Sequence, residues 1–134
     1  MEQLQGKSSL HVEYSEVCTS IRHYSGLRFA VFSVFFAVTG GILTIAYSQT
    51  NVALTVRLEI LGLLAVTTFW FFEERIIAIA NHFLQRASEL EKELGFKAWS
   101  TRPLYSFIPF MKTAIATRLI YLAVAIFWAT SLIV

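Results

Sequence analysis

The sequence predicts an all-α integral membrane protein: three transmembrane helices with a cytosolic antiparallel helical stalk. Three observations carry this. Residues 29–48, "FAVFSVFFAVTGGILTIAYS", hold no charge over 20 positions, enough for a helix to cross a hydrocarbon layer of about 30 Å. Two further apolar runs lie at 52–72 and 113–134. Between them Ile76, Ala80, Phe83, Ala87, Leu90 and Leu94 recur at alternating spacings of four and three, the pattern of a packed helical seam. The composition agrees, with 134 residues, 56% hydrophobic and 15% charged, and a mean hydropathy of +0.61. That length bounds the chain to one small domain.

Residues 1–28 read as an N-terminal cytosolic helix leading into the first span. They are polar and mixed, unlike a secretory signal, whose apolar core is also shorter than 29–48. Leu10, Tyr14, Val17, Ile21 and Tyr24 are spaced four, three, four, three, and Ser8 or Ser9 is suited to cap this helix.

Residues 29–48 form transmembrane helix 1. Ser33, Ala37 and Gly41 lie four apart with Gly40 beside them, a small-residue face that lets helices approach closely in lipid. Packing inside the monomer and packing between subunits are both open. The bulky Phe29, Phe32, Phe35 and Phe36 lie on other faces. The short polar turn "SQTN" then forces an antiparallel return, so 52–72 is transmembrane helix 2 although it carries Arg57 and Glu59.

Helix 2 does not stop at the surface that Glu73 and Glu74 should mark. Its pattern continues to Leu94, and Gly95 supplies a stop. The part beyond Phe72 rises about 33 Å. Residues 73–95 are therefore read as a cytosolic extension whose seam pairs with that of residues 10–24; Glu89 and Lys92 are close enough to pair on its outer side. A single amphipathic helix lying on the bilayer is the competing reading. Residues 96–112 form an aromatic return segment with Pro103 and Pro109, which exclude a regular long helix. Its aromatics Phe96, Trp99, Tyr105, Phe107 and Phe110 suit either headgroup depth or packing against the stalk. Residues 113–134 are transmembrane helix 3, with a half-inserted helix as the alternative.

Nine Lys and Arg residues fall in the N-terminal segment and the second connection, and Arg57 alone on the other side. The positive-inside rule then places the N-terminus in the cytoplasm and the C-terminus outside. Arg57, Glu59 and Arg118 are the ionisable residues within apolar runs, where charge is costly and commonly functional. Arg57 and Arg118 can reach a surface, Arg118 toward Glu73. Glu59 lies about 20 Å from the inner end of its span and is too short to follow. Ser33, Thr39, Thr44, Thr67 and Thr68 could line a narrow pore or be passengers.

Enzyme chemistry is not expected. The chain has no Asp and one cysteine, Cys18, which reads as a packing residue. No P-loop, GxSxG or HExxH motif occurs. His11, Glu13, Glu16, His23 and His82 do not share a metal-binding spacing, so no cofactor or metal is expected. The net charge of +2 is too small for direct nucleic-acid binding. The expected partners are the lipid bilayer and further copies of the chain.

An N-terminal helix, a two-span hairpin and a long helix bearing "QRASELEKELGF" resemble, over about residues 10–95, the SLATT-type membrane proteins of bacterial conflict systems. The third apolar run departs from that two-span plan. The resemblance implies an effector of the bacterial inner membrane that self-associates and permeabilises or depolarises it, for antiviral defence, when a cytosolic sensor or nucleotide-producing partner signals. It assigns no active-site residue. A non-conducting scaffold or regulatory subunit, docking another protein through its stalk, is the alternative.

Overall fold

A computed structural model describes residues 2–101 and 113–133. They form three α-helices: α1, Glu2–Ser48; α2, Val52–Leu94; and α3, Thr113–Ser131. No strand occurs among the described residues. All three helices are long and apolar enough to cross a membrane. The chain folds as two units, one built from the described residues up to 28 and 75–101, the other from 29–74 and 113–133.

In the first unit α1 and α2 bury Val17, Ile21, Ala87 and Leu90 against one another, with Leu10, Tyr14, Phe83, Leu84 and Trp99 around them. Tyr24 stacks on Phe83 at 5.7 Å between ring centres. Ile76 is buried, and Ala80 and Leu94 are half-buried. The two seams thus face each other. On their outer side Arg86 bridges to Glu13 at 2.7 Å and to Glu89 at 3.3 Å; Glu89 pairs with this arginine and not with Lys92, because Arg86 already leans along that edge toward Glu13. Ser8 and Ser9 are not caps. The helix begins at Glu2, since Glu2 to Gln5 favour helix and the single Gly6 costs only about 1 kcal/mol.

Gly95 ends α2 with φ +78°, a left-handed conformation that glycine adopts without strain. Its N–H and that of Phe96 both donate to the Glu91 carbonyl, at 2.8 and 3.1 Å. The chain then folds back in a turn at 97–101, closed by the Thr101 N–H on the Lys97 carbonyl at 3.3 Å. Phe96 packs on His11 and Tyr14, with ring centres 5.6 and 5.4 Å apart. This part of the return segment therefore packs on helix α1. Tyr105, Phe107, Phe110 and both prolines lie outside the described residues.

The second unit is an antiparallel hairpin of α1 and α2 joined by α3. Asn51 opens α2, its side-chain oxygen accepting the Leu54 N–H at 3.3 Å, a cap that contributes about 1 kcal/mol. The core is aromatic. Phe35 and Tyr121 meet edge to face at 4.7 Å, Phe69 and Trp70 flank them, and Ile42, Val66 and Trp128 complete the cluster. Phe29, Val52, Phe71 and Phe72 remain largely exposed. Helix α3 stops at Ser131, three residues before the end of the apolar run; Ile133 closes a turn on the Thr130 carbonyl at 3.1 Å.

Candidate functional site

Two places hold polar groups that the fold positions closely. The first is in the hairpin unit. Glu59, half-buried, lines a cavity of about 390 Å³ with Ala46, Tyr47, Thr55, Phe127, Trp128, Thr130 and Ser131. The cavity forms where the end of α1, the start of α2 and the end of α3 meet. Each aliphatic hydroxyl on its wall spends its hydrogen on its own helix. Thr55 donates to the Asn51 carbonyl at 3.2 Å. Thr130 donates to those of Ile126 and Phe127 at 2.9 Å, and Ser131 to that of Trp128 at 3.0 Å. Their lone pairs are left for the cavity.

Arg57 is exposed and does not line the cavity. Arg118 lies elsewhere in the unit. Its guanidinium holds Glu74 in a fork, 2.5 Å from Nε to Oε1 and 2.7 Å from Nη2 to Oε2, and Trp70 Nε1 donates to the same carboxylate at 3.2 Å. The expected direction, toward Glu73, is corrected: Glu73 is fully buried, and the neighbouring position, about 100° around the helix, presents Glu74 to α3. The three ionisable residues singled out from the sequence are thus not brought to one place.

The small-residue face is not covered by the described residues of the chain. Ser33, Ala37, Gly40 and Gly41 are all exposed, and a Cβ added at Gly40 or Gly41 would meet, among the described residues, no atom within 4 Å beyond the adjoining stretch of α1. Close packing within the chain uses Gly62 instead. A Cβ there would fall 2.5 Å from Trp128 Cε2 and 2.6 Å from Cδ2, so the indole lies directly on the α2 backbone. The hydroxyls of Ser33, Thr39, Thr44, Thr67 and Thr68 all donate to carbonyls one turn back in their own helices.

The second place is in the unit of paired seams, and its centre, Glu91, was not among the residues the pattern picked out. Glu91 is 1% exposed. Its Oε1 accepts the Tyr14 hydroxyl at 2.9 Å and the Trp99 amide at 2.8 Å, and its Oε2 accepts the Ser100 amide at 2.8 Å. Burial pushes the carboxyl pKa up, but the two amides, the phenol and the Ser100 hydroxyl outweigh it and lower it to about 2. The same burial, with the bond to Glu91, raises the Tyr14 phenol. Trp99 also donates from Nε1 to Cys18 Sγ at 3.3 Å, so Cys18 is part of the closure and not only a packing residue. The turn after Gly95 is thereby tied to α1 and α2 at once. A carboxylate one residue past a seam position, eight residues before an aromatic, was the available signal. Helical periodicity alone does not carry it, because the donors come from backbone outside the helix.

Neither site gathers three or more His, Cys, Asp or Glu side chains suited to a metal ion among the described residues. Comparisons with protein-family models, with characterised proteins and with solved structures give no match to this chain.

Proposed function

We propose that the protein is an oligomeric membrane effector that permeabilises or depolarises the membrane when a cytosolic partner triggers it. The observation that carries this is the bare small-residue face at Gly40 and Gly41, where no atom of the described residues beyond the adjoining stretch of α1 comes within 4 Å of an added Cβ. In lipid a face of small residues is a surface for another helix, and a second copy supplies one. In this reading helices α1, α2 and α3 span a bacterial inner membrane with the N-terminus inside. The paired-seam unit is cytosolic and receives the signal, and Glu59 is the intramembrane charge that senses or lines the opening. The SLATT-like arrangement of a hairpin followed by a long helix supports the same reading.

A second reading, a non-conducting scaffold or regulatory subunit, is favoured by the hydroxyls. Every one of Ser33, Thr39, Thr44, Thr67 and Thr68 is bonded back to its own helix, which leaves no stripe of free donors for a pore.

Overproduction or triggering in cells should collapse the membrane potential, and purified protein should make liposomes leak ions. Glu59→Gln should change conductance at unchanged oligomer size. Gly41→Leu should shift the oligomer itself. A reporter fused after Val134 should read as extracytoplasmic. Tight liposomes containing correctly assembled protein, even beside an activated partner, would leave the scaffold.

A further inference from the structure

The cavity around Glu59 has a chemistry of one sign, and we infer that it is a binding site for a primary ammonium group. The wall carries one carboxylate, the Tyr47 phenol and three aliphatic hydroxyl oxygens, those of Thr55, Thr130 and Ser131. The three aliphatic hydroxyl hydrogens are committed to backbone carbonyls behind them. What reaches the cavity from these groups is acceptor lone pairs. The remaining nearby N–H, Trp128 Nε1, is shut away from the surface with no hydrogen-bond partner among the described residues. The Tyr47 hydroxyl can turn either way. Glu59 makes no hydrogen bond or ion pair with any described side chain, and Arg57 is not on the wall.

Three features select the ligand. The volume of about 390 Å³ is in the range of small-molecule pockets and far larger than a bare ion needs. A single carboxylate is too little charge for a tight divalent cation, which takes six or more oxygens with several carboxylates. The aromatic walls, Tyr47 and Trp128 among them, attract organic cations through their ring faces. An ammonium with three N–H donors satisfies the acceptors, the charge and the rings together. A quaternary ammonium satisfies only the last two, and an anion none. Two sources carry this group: the headgroup of an ethanolamine phospholipid, and a free primary amine. The inference concerns binding alone and holds for a conducting or a non-conducting chain.

The test uses the full chain in nanodiscs of phosphatidylcholine, which offers no N–H donor. Ethanolammonium chloride is titrated calorimetrically against tetramethylammonium chloride and sodium chloride at equal ionic strength. In a second arm, native mass spectrometry counts phosphatidylethanolamine retained from mixed nanodiscs. The expected result is saturable binding in at least one arm, about tenfold tighter for ethanolammonium than for tetramethylammonium when the free amine binds. Glu59→Gln should weaken it at least about tenfold, as loss of a charged hydrogen-bond partner does. Thr130→Val, which removes an acceptor at constant shape, should weaken it by a few-fold, and Thr67→Val, off the cavity, not at all. Saturation only in the lipid arm identifies the headgroup, and saturation only in solution identifies a soluble amine. No saturation in either arm, equal binding of tetramethylammonium, or indifference to Glu59→Gln would overturn the inference.

Discussion

Tyr14 and Glu91, 77 positions apart in the chain, are joined by a hydrogen bond of 2.9 Å from phenol to carboxylate. With the amides of Trp99 and Ser100 on the same carboxylate, this bond ties α1, α2 and the turn after Gly95 at one buried point. Tyr14→Phe removes one donor and should lower the unfolding free energy of this unit by about 1–2 kcal/mol. Glu91→Ala strands three donors and should cost about 3 kcal/mol or more. Both are read by denaturant unfolding of the full chain in detergent. Limited proteolysis at Lys97 should quicken in the same order. Wild-type protection in Glu91→Ala would show that the turn is held by its apolar contacts alone.

Acid should open the same point. The Glu91 carboxyl is lowered from the usual 4.5 to about 2, so the unfolded chain takes up this proton before the folded chain does. The stability it contributes is fully present above about pH 4.5 and is lost as pH falls toward 2. The Tyr14 phenol is shifted upward, so its contribution is present below about pH 10 and lost as pH climbs through the raised value. Near-ultraviolet dichroism, sensitive to Trp99, should follow the acid limb, and Glu91→Gln should remove that part of it. An acid limb of unchanged size in Glu91→Gln would assign the transition to other carboxylates.

Gly62→Ala should be the most damaging glycine-to-alanine change in the hairpin unit. The added methyl would sit 2.5 Å from the Trp128 ring, an overpacking that costs about 1–3 kcal/mol. Trp128→Phe should recover part of the loss in the double variant. Gly40→Ala and Gly41→Ala meet open space and gain up to about 1 kcal/mol of helix propensity each, so monomer stability should hold or rise. Equal losses at all three positions would mean that the three glycines are packed alike.

Charges placed on the paired seams should separate sharply from charges beside them. Leu90 is fully buried and Phe83 packs on the same cluster. Leu90→Asp or Phe83→Asp should therefore cost several kcal/mol. Gln85 is exposed, and Gln85→Asp should stay within about 0.5 kcal/mol. Ser88→Asp, at a half-buried position, should fall between. Denaturant midpoints of the four variants decide this.

The helices and their pairing could be read from spacing because the same repeat runs along α2 without a break. Gly62, Val66, Phe69, Glu73, Ile76, Ala80, Phe83, Ala87, Leu90 and Leu94 keep the alternation of four and three. Read from Ile76 onward it marks one half of that seam. Begun at Gly62 it also places Gly62 at the helix crossing, and it places Glu73 on the inner face, where polarity alone would put it at the surface. The small residues of α1 were recognisable as a face, but whether that face is covered depends on where α3 lies, and no local pattern fixes that. Arg118 could be seen to need an acidic partner, whereas the choice between Glu73 and Glu74 turns on a 100° rotation set by the core. Glu91 was hidden because its partners are amides, and amides carry no letter in a sequence.

The two amides on Glu91 are supplied by main chain, and this distributes tolerance to mutation unevenly. At position 100 any residue except proline still presents an N–H, so the amide contact survives a change there, with only the weaker support of the serine hydroxyl lost. Trp99 keeps a second duty through its indole on Cys18. Glu91 has no freedom at all, since shortening it to aspartate withdraws both oxygens by about one methylene. A chain descended from the same ancestor could thus differ at most positions of the turn and still close it, recognisable by one glutamate, the glycine four residues later and the absence of proline at two places.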